Sequence, residues 1–531
     1  MFYFLTHGQK PHMDSGPFDV EKILEANPDA MERNSCPPWG PVFQHHYWSE
    51  PLFGYYRSTD KGVIRKHAQM LSDAGVDAVA FDFSNGFLYP DARRAVFEAF
   101  AEVRAAGGKT PQIFFLLPFK WEPTQRNEGQ RMALVNVWNE VYKPNYHPEL
   151  WFRWKGRPLI LAYKSYAKMA PAEEQEAIER FFTFRGPHPT LRHPKSNYFG
   201  HWSWCSVYPQ AMYHAPDGTP EEMSVSVSQN SNDKRTIPST EPDCFTRAHC
   251  NGKDDPTPDN LARGLNFQEQ WDLALKMDPP FIFVTGWNEW GAFRGKVGDG
   301  DWSYWKPTTK VMFVDNFDAA HSRDAEPCRG LWGDAYYYQL ASNIRRYKGV
   351  REIPIVKSGV VAIDGRFADW REVTPTFFDT PGDPVHRDHP VVGKSGARLV
   401  DDSGRNDIIE AKVSAGGDRV FFYVRARDRL KSGSADNWML LFADADANTT
   451  TGWMGYDFIV RPAAPDKDVA VAVGNCEIEL SVPLARFGGS LPRQFDFKWA
   501  DNCLQERSWR DFTLHGDAAP NDRFNYRARF E

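Results

Sequence analysis

Short apolar runs alternate with amphipathic segments along the first 350 or so residues. Each run is followed by a polar or aromatic loop and then by a stretch with apolar residues at helical spacing. In the segment Asp60–Ala74 this spacing places Val63, Ile64 and Leu71 on one face, and Gly75 follows as a stop signal. The pattern therefore predicts strands and helices in regular alternation.

We predict eight strands in this region. They are Phe2–Leu5, Val76–Phe83, Gln112–Leu117, Pro158–Ala162, Phe181–Phe184, Phe199–Trp204, Met223–Gln229 and Phe281–Val284. Eight strand–helix units in about 350 residues are typical of an α/β fold of the (β/α)8 TIM-barrel type, so residues 1–352 are expected to form such a barrel. A doubly wound sheet is the structural alternative, but the chain has neither a GxGxxG sequence after a strand nor a Walker A sequence.

The pattern changes after Pro354, which marks a linker. Residues 357–531 contain short runs with alternating apolar positions, separated by turns rich in Gly and Asp, such as Gly416–Asp418. Such spacing favours antiparallel strands over helices. We therefore predict a second domain, a C-terminal β-sandwich over residues 357–531.

The segment Phe281–Arg294, FIFVTGWNEWGAFR, changes abruptly from an apolar strand to polar and aromatic residues. Glu289 stands between Trp287 and Trp290, with Asn288 beside it. Indole faces cover the apolar face of a sugar ring, an amide binds hydroxyls, and a carboxylate moves protons or attacks carbon. The motif thus indicates a sugar site. The alternative is a core Trp pair with a Glu that only caps a helix.

In a parallel barrel, the residues that follow each strand meet at one mouth. The polar residues expected there are His7, Asp82, Lys120, Lys164, His201, Gln229 and Glu289. This convergence strengthens the interpretation of the Glu289 motif as part of a site.

Composition narrows the classes of partner. The 63 Lys and Arg residues against 70 Asp and Glu residues give a net charge of −7 without a basic tail, which argues against nucleic acid. No apolar run is long enough to span a bilayer. Aromatic residues make up 15% of the chain, which suits carbohydrate binding as well as a large core.

The stretch FVTGWNEWG resembles the end of the last barrel strand in proteins of glycoside hydrolase family 99 and the related family 71. Val63–Asp77 and Val314–Pro327 also resemble bacterial members of that group. The resemblance implies a barrel that cleaves glycosidic bonds in the periplasm or outside the cell. No signal peptide is visible, so the alternatives are a removed leader or a cytoplasmic protein. Family 99 enzymes use two Glu residues of this motif; Glu289 matches the first, and Ala292 stands at the second.

The C-terminal region resembles family 9-like carbohydrate-binding modules. The segments that carry this resemblance are Ile363–Gly365, the GGDRVFFYVRARD hairpin and Asp444–Asp457. It implies a module that binds glycan or braces the barrel.

Glycoside hydrolysis needs two acid/base groups. Glu289 is the first candidate, and because Ala292 is not ionisable the second must come from another loop. Asp82, at a strand end, is the leading candidate, and Glu50, in the aromatic loop FQHHYWSE, is the other. Each has a structural alternative, since Asp82 could cap a turn and a loop Glu is usually solvated.

Further polar and aromatic residues are expected to contact the substrate. They are His7, His45, His46, Tyr56, Lys164, His201, Trp202, Trp204, Gln229, Trp287, Asn288 and Trp290. The His residues lack the HxH or HxxxH spacing of zinc sites, so hydrogen bonding to sugar hydroxyls is favoured, and no cofactor is expected for catalysis. Lys164 would suit an acidic glycan or an ordinary ion pair.

Several hard oxygen ligands lie close together in the C-terminal region. They are Asp444, Asp446, Asn448 and Asp457. Oxygen-rich loops of this kind bind Ca²⁺, although an Asx-rich turn is an equal alternative. A structural calcium ion is therefore a hypothesis.

Three functions are consistent with these patterns. The first is a glycosidase that acts on a polysaccharide or complex glycan. The second is a non-catalytic glycan-binding protein on a decayed barrel, suggested by Ala292. The third is a glycan lyase or transferase, because fold alone does not fix the reaction.

Overall fold

The computed structural model describes residues 1–119, 132–188, 199–298, 305–330 and 332–531. The strands of the N-terminal region, residues 1–352, are β1 (Phe2–Tyr3), β2 (His45–Tyr47), β3 (Ala78–Asp82), β4 (Gln112–Leu116), β5 (Arg153–Trp154), β6 (Arg157–Leu161), β7 (Thr183–His188), β8 (His201–Ser203), β9 (Tyr213–His214), β10 (Pro220–Ser226), β11 (Phe281–Thr285), β12 (Gly291–Gly295) and β13 (Met312–Phe313). The α-helices are α1 (Val20–Ala26), α2 (Lys61–Ala74), α3 (Pro90–Ala105), α4 (Ala133–Val137), α5 (Ala172–Phe181), α6 (Pro258–Ala262), α7 (Leu265–Met277) and α8 (Ala335–Lys348).

Eight strands run parallel in chain order. β1, β3, β4, β6, β7 and β8 form one sheet, and β10 pairs with β11 in a second. The sheets meet at both edges, where the Ser203 amide donates to the Glu222 carboxylate at 3.0 Å and the Trp287 amide donates to the Phe2 carbonyl at 2.9 Å. Every predicted strand segment overlaps one of these strands, and the N-terminal region is TIM-barrel-like.

Alternate residues of the parallel strands face opposite ways. One face forms an interior apolar cluster that includes Phe2, Phe4, Ala80, Phe114, Leu116, Leu161, Trp202 and Phe283. The other face packs against the helices in a larger cluster. Helix α2 shows why the chain folds this way locally. The Asp60 carboxylate accepts hydrogen bonds from the amides of Gly62 and Val63 at its start, and Gly75, at a φ of 89°, ends it.

A small antiparallel sheet lies beyond β11. β12 pairs with both β2 and β13, and in that register Ala292 lies opposite His46. The sheet brings the aromatic loop near residue 45 against the segment that follows Glu289. The sequence did not predict it, because its strands pair across more than 200 residues.

The C-terminal region, residues 357–531, contains mostly antiparallel strands. They are β14 (Thr376–Phe378), β15 (Arg387–Pro390), β16 (Arg398–Asp401), β17 (Ile408–Gly416), β18 (Arg419–Ala426), β19 (Leu440–Asp444), β20 (Phe458–Val460), β21 (Ala470–Val473), β22 (Glu477–Pro483), β23 (Gln494–Asp501), β24 (Asp517–Ala519) and β25 (Tyr526–Arg529). A short helix, α9 (Asp511–Leu514), precedes β24. The sheet β14-β17-β18-β22-β21 and the sheet of β20, β19, β23, β24 and β25 share one apolar cluster.

Polar contacts join the two regions. The Arg387 guanidinium donates to the Asp60 carboxylate at 2.7 Å, beside the start of α2. Arg57 donates to the Val391 carbonyl at 3.0 Å, and Arg523 pairs with Asp334 at 2.8 Å. The segment that leads into the C-terminal sheets is therefore held against the helices of the N-terminal region.

Within the described ranges, no helix combines the length and the apolar character needed to cross a membrane.

Candidate functional site

Glu289 lies in the loop after β11, and a neighbouring segment fixes its backbone. Its amide donates to the Asp324 carboxylate at 2.5 Å, and its carbonyl accepts from the Asn316 side chain at 2.8 Å. Residues 323–326 run alongside residues 286–287 with backbone hydrogen bonds of 2.6 to 3.0 Å. These contacts hold the Glu289 loop rigidly at the carboxyl end of its strand.

The side chain of Glu289 binds Arg323. Two nitrogens of the guanidinium donate to Glu289 Oε2, Nη2 at 2.6 Å and Nε at 3.2 Å. The same Nη2 lies 3.7 Å from Asp315 Oδ1. The side chains of Glu289 and Arg323 are 14% and 9% exposed, whereas that of Asp315 is 45% exposed. The Arg323 guanidinium thus lies between two carboxylates, the largely buried one of Glu289 and the more exposed one of Asp315.

Asp82 joins this group from β3, which pairs with β1. It is the last residue of β3, and its carboxylate accepts from the Ser84 amide at 3.0 Å. Its charge acts on Glu289, and the charges of Asp315 and Arg323 act on it. We call Asp82, Glu289, Asp315 and Arg323 the carboxylate site.

Burial dominates the electrostatics of the carboxylate site. It raises the pKa of Glu289 well above the usual range; Arg323 opposes this effect, while Asp315, Asp324 and Asp82 add to it. Burial also raises the pKa of Asp82, against its hydrogen bonds with Ser84. One guanidinium cannot neutralise three carboxylates, so the arrangement favours keeping a proton in the site near neutral pH.

Other side chains border this group. Asn230 Oδ1 accepts from Arg323 Nη1 at 3.5 Å. Burial raises the pKa of the Cys205 thiol, which also lies in the fields of Arg323 and Glu289.

The residue before Cys205, Trp204, is half-buried, and its ring packs against Phe119 with 5.0 Å between centroids. Gln229 is buried and donates to the Ser206 carbonyl at 3.3 Å. Trp204 is thus the predicted aromatic residue best placed to meet a ligand.

The neighbours of Glu289 in sequence lie in the core. Trp287 is fully buried, with its ring edge-on to His67. Trp290 is fully buried and stacks on Trp48 with 4.4 Å between centroids. Asn288 binds the backbone of Phe4, accepting from its amide at 2.8 Å and donating to its carbonyl at 3.1 Å. The sugar-binding role predicted for these three residues has no exposed surface to act through in this structure.

A buried polar network centred on Glu326 accounts for Tyr56 and Trp290. Glu326 Oε2 accepts from the Tyr56 hydroxyl at 2.7 Å and from Trp290 Nε1 at 2.6 Å. Its Oε1 lies 2.9 Å from His67 Nε2, and both side chains are 0% exposed. Here Tyr56 is a core residue rather than a mouth residue.

The predicted histidines are also largely buried. His7 Nε2 bonds the Asn288 carbonyl at 2.9 Å, and burial lowers its pKa to about 4. Burial lowers the pKa of His45 and of His46 to about 3. His46 accepts from the Gly40 amide at 3.1 Å, and the His45 ring packs edge-on to His12. All three therefore stay neutral near pH 7 and serve packing.

Three more predicted residues lie away from the carboxylate site. Lys164 forms a largely exposed ion pair with Glu179 at 3.1 Å. Trp202 is fully buried and donates to Glu221 at 2.7 Å. His201, which begins β8, contacts the Phe199 carbonyl at 3.1 Å. Lys120 lies outside the described residues.

Glu50 belongs to a separate surface group. It pairs with Lys22, and its other oxygen lies 3.3 Å from Arg329. The structure does not bring it together with Glu289. Asp82 is therefore the one predicted partner that the fold places with Glu289.

Sequence reasoning missed Asp315, Arg323 and Asp324 as site residues. All three lie in Val314–Pro327, which was noted only as resembling a family segment. The sequence signal for a site was the mixed charge of this segment, in which Asp315 and Asp318 precede Arg323. The three residues reach the site because this segment pairs with residues 286–287, and no local sequence pattern shows that pairing.

The predicted calcium loop brings three carboxylates together. Asp444, Asp446 and Asp457 each have an oxygen within 4.8 Å of the others. Asp444 is 1% exposed, and its Oδ2 has no hydrogen-bond partner among the described residues. The Asn448 side chain instead accepts from Thr450. The three carboxylates suit a hard cation, and the Asn448 amide donates to Asp444 Oδ1 and Asp446 Oδ1 at 3.0 Å.

Comparisons with known proteins yield only structural likeness. No protein-family model and no curated protein matches this chain. Two solved structures of the GH99 endo-alpha-mannosidase from Bacteroides thetaiotaomicron, one with bis-tris-propane bound, are 15% identical in sequence and cover 65% of this chain and 96% of theirs. Their TM-scores are 0.37 and 0.36. Likeness at TM-scores this low does not bear on the fold or the reaction of this chain.

Proposed function

We propose that the protein is a glycoside hydrolase, built on a (β/α)8 barrel, that cleaves a polysaccharide or complex glycan at the carboxylate site. The observation that carries the proposal is the meeting of Asp82, Glu289 and Asp315, from three separate segments, around Arg323. Paired carboxylates are the catalytic groups of most glycosidases. Asp82 and Glu289 lie at the carboxyl ends of parallel strands, which is where barrel enzymes carry their active sites.

The contacts suggest different roles for the two predicted carboxylates. Burial raises the pKa of Glu289 well above its usual range, although the two hydrogen bonds from Arg323 oppose this effect. Glu289 is therefore the group that holds a proton near neutral pH and acts as the general acid. Asp82 accepts hydrogen bonds from the Ser84 segment, which oppose the effect of burial on its pKa, and it is the group that activates water or attacks the sugar. Ala292 cannot take part, because it is fully buried opposite His46.

A second candidate function is glycan binding without turnover. The observation that favours it is that Arg323 occupies Glu289 Oε2 with both of its bonds. A carboxylate held this firmly can be structural. Fully intact binding of a glycan with no released sugar would support this function.

A panel of polysaccharides and complex glycans, with detection of released reducing sugars, tests the proposal. We expect the wild-type protein to release sugar from at least one class, and the double variant Asp82→Asn/Glu289→Gln to release none. Glu50→Gln is the matched control, because it changes another ion-paired Glu outside the carboxylate site. Equal activity of the double variant and the control would refute the proposal.

We further propose that residues 357–531 are a β-sandwich, similar to carbohydrate-binding modules, that braces the barrel and binds Ca²⁺ at Asp444, Asp446 and Asp457. The buried, unpartnered Asp444 Oδ2 supports the ion, and the contacts of Arg387 and Arg57 support bracing. Trp370 offers no face to a sugar, because it is buried and stacked on Tyr423. Calcium titration of the wild type and of Asp446→Asn/Asp457→Asn tests the ion site.

For location we propose the periplasm or the cell exterior, where such substrates and millimolar calcium occur. Fractionation of cells that express the protein from its own full-length gene tests this.

A further inference from the structure

A second cluster of carboxylates lies where the C-terminal region meets helix α2. Asp379 and Asp383 come from the loop after β14, and Asp517 begins β24. One oxygen of each lies within 4.8 Å of the others. Three like charges brought this close from two separate parts of the chain repel one another, so the fold needs something to hold them together.

The protein supplies little compensation. Asp517 is 4% exposed and accepts from the Ile408 amide at 2.6 Å. Asp379 Oδ1 accepts a long hydrogen bond of 3.4 Å from Asn521. By contrast, Asp379 Oδ2 and both oxygens of Asp383 are buried from solvent without hydrogen-bond partners among the described residues. Buried carboxylate oxygens without partners are costly, and their presence points to a missing ligand.

Two nearby cations compensate the cluster only in part. Lys66, on α2, pairs with Asp522 at 3.4 Å, and its charge also acts on Asp383 and Asp517. Lys498, which is fully buried, donates to the Pro520 carbonyl, and its charge acts on Asp379. Among the residues that the structure describes, no ion pair joins a basic side chain to Asp379, Asp383 or Asp517. Asp73 and Asp522 add further negative charge nearby.

Two cavities give access to the cluster. Asp379 lines a cleft of about 1700 Å³ between the two regions, and Asp383 lines a neighbouring cavity of about 300 Å³. Both are bordered by Gln69 of α2 and by Thr380. An ion therefore has a path from solvent to the buried oxygens.

We propose that Asp379, Asp383 and Asp517 bind a divalent cation, Ca²⁺ by its preference for hard oxygen ligands, that fastens the C-terminal region to the barrel. Each of the three carboxylates offers at least one oxygen to a calcium coordination sphere, with water for the rest. A site made only of oxygens disfavours zinc and copper. This site is separate from the Asp444 loop, and it does not depend on the proposed glycosidase activity.

Thermal unfolding of the full-length chain, stripped of metal by EDTA and titrated with calcium chloride, tests the proposal. The decisive variant is Asp446→Asn/Asp457→Asn, which lacks the other candidate site. We expect its Tm to rise by about 5 °C when calcium reaches roughly 100-fold over Kd, because a ligand that binds only the folded state stabilises it. Isothermal titration calorimetry of the same variant should give one calcium per chain.

The matched variant adds Asp379→Asn/Asp383→Asn to the Asp446→Asn/Asp457→Asn background, which keeps shape, removes charge and leaves the Asp444 loop without its site. We expect it to lose the calcium-dependent rise that the Asp446→Asn/Asp457→Asn variant keeps. If it fails to fold, the single change Asp383→Asn in the same background takes its place. An unchanged Tm of the Asp446→Asn/Asp457→Asn variant in calcium would overturn the proposal, and so would a full rise in either matched variant.

Discussion

Glu289 and Glu326 lie on two segments that pair with each other, yet their surroundings differ. Glu326 is 0% exposed and receives hydrogen bonds from Tyr56 and Trp290 in addition to its contact with His67. Glu289 is 14% exposed, and its side chain contacts Arg323 through one oxygen. Both carboxyl groups lie in the protein interior. They differ in whether the surrounding side chains use all of their bonding capacity.

This difference separates a structural carboxylate from one that is available for chemistry. When both oxygens of a carboxylate already have hydrogen-bond partners, a substrate cannot bind to it or exchange a proton with it without breaking those bonds. Where one guanidinium serves Glu289 and Asp315 together, the carboxylate remains able to exchange protons. Trp287 and Trp290 are adjacent to Glu289 in the sequence, but like Glu326 they are fully buried among protein side chains.

The largest effect is expected from Glu289→Gln. Because the amide keeps the shape but cannot ionise, turnover should fall by about 10²–10⁴-fold. The melting temperature should change little, since Arg323 retains Asp315 as a partner. Specific activity and Tm are measured on one preparation. Full activity with a lowered Tm would mean that Glu289 is as structural as Glu326.

Glu326→Gln should reverse this pattern. Gln has one acceptor oxygen where Glu has two, so either the His67 contact or the Tyr56 and Trp290 contacts lose their acceptor, at a cost of about 1–3 kcal/mol in the free energy of unfolding. Activity per folded molecule should stay nearly unchanged. Urea denaturation gives the stability, with Glu50→Gln as a surface control. A stable but inactive Glu326→Gln protein would place Glu326 in the chemistry.

A smaller effect is expected from Asp315→Asn. Its negative charge raises the pKa of both Asp82 and Glu289, so its removal should lower both. Because Glu289 is the proposed general acid, activity is lost as pH rises through its pKa, and that alkaline limb should move to lower pH by up to about one unit. The pH–rate profile measures the shift. An unchanged alkaline limb would show that the charge of Asp315 does not act on the general acid.

The sequence predicts much of the fold, because strands and helices follow from local patterns. All eight parallel strand segments and the face of α2 could be found this way, since periodicity and caps act over a few residues. The burial of Trp287 and Trp290 could not, because aromatic residues suit a core and a sugar site equally. Arg323 could not be predicted for another reason. It lies 34 residues after Glu289 in the sequence, and their contact depends on the backbone pairing between the two segments.

The smallest effect is expected from Lys164→Ala. The sequence predicted a role in substrate binding, whereas the structure shows an exposed pair with Glu179. Such pairs contribute about 0–1 kcal/mol, so both KM and Tm should stay close to wild type. Steady-state kinetics on the glycan found in the panel measures KM. A large rise in KM would return Lys164 to the binding surface.

The side chain of Asn288 acts as a substitute peptide unit. With one bond to the Phe4 amide and one to its carbonyl, it closes the gap between the first and the last parallel strand. During synthesis on a ribosome, Phe4 must therefore wait until residue 288 has emerged before this seam can form. The first strand stays on an open edge until residue 288 has been made, and such edges are where nascent chains aggregate. The Asn288 amide thus completes the barrel, but it also makes the barrel close late in synthesis. Until then the first strand needs protection from aggregation.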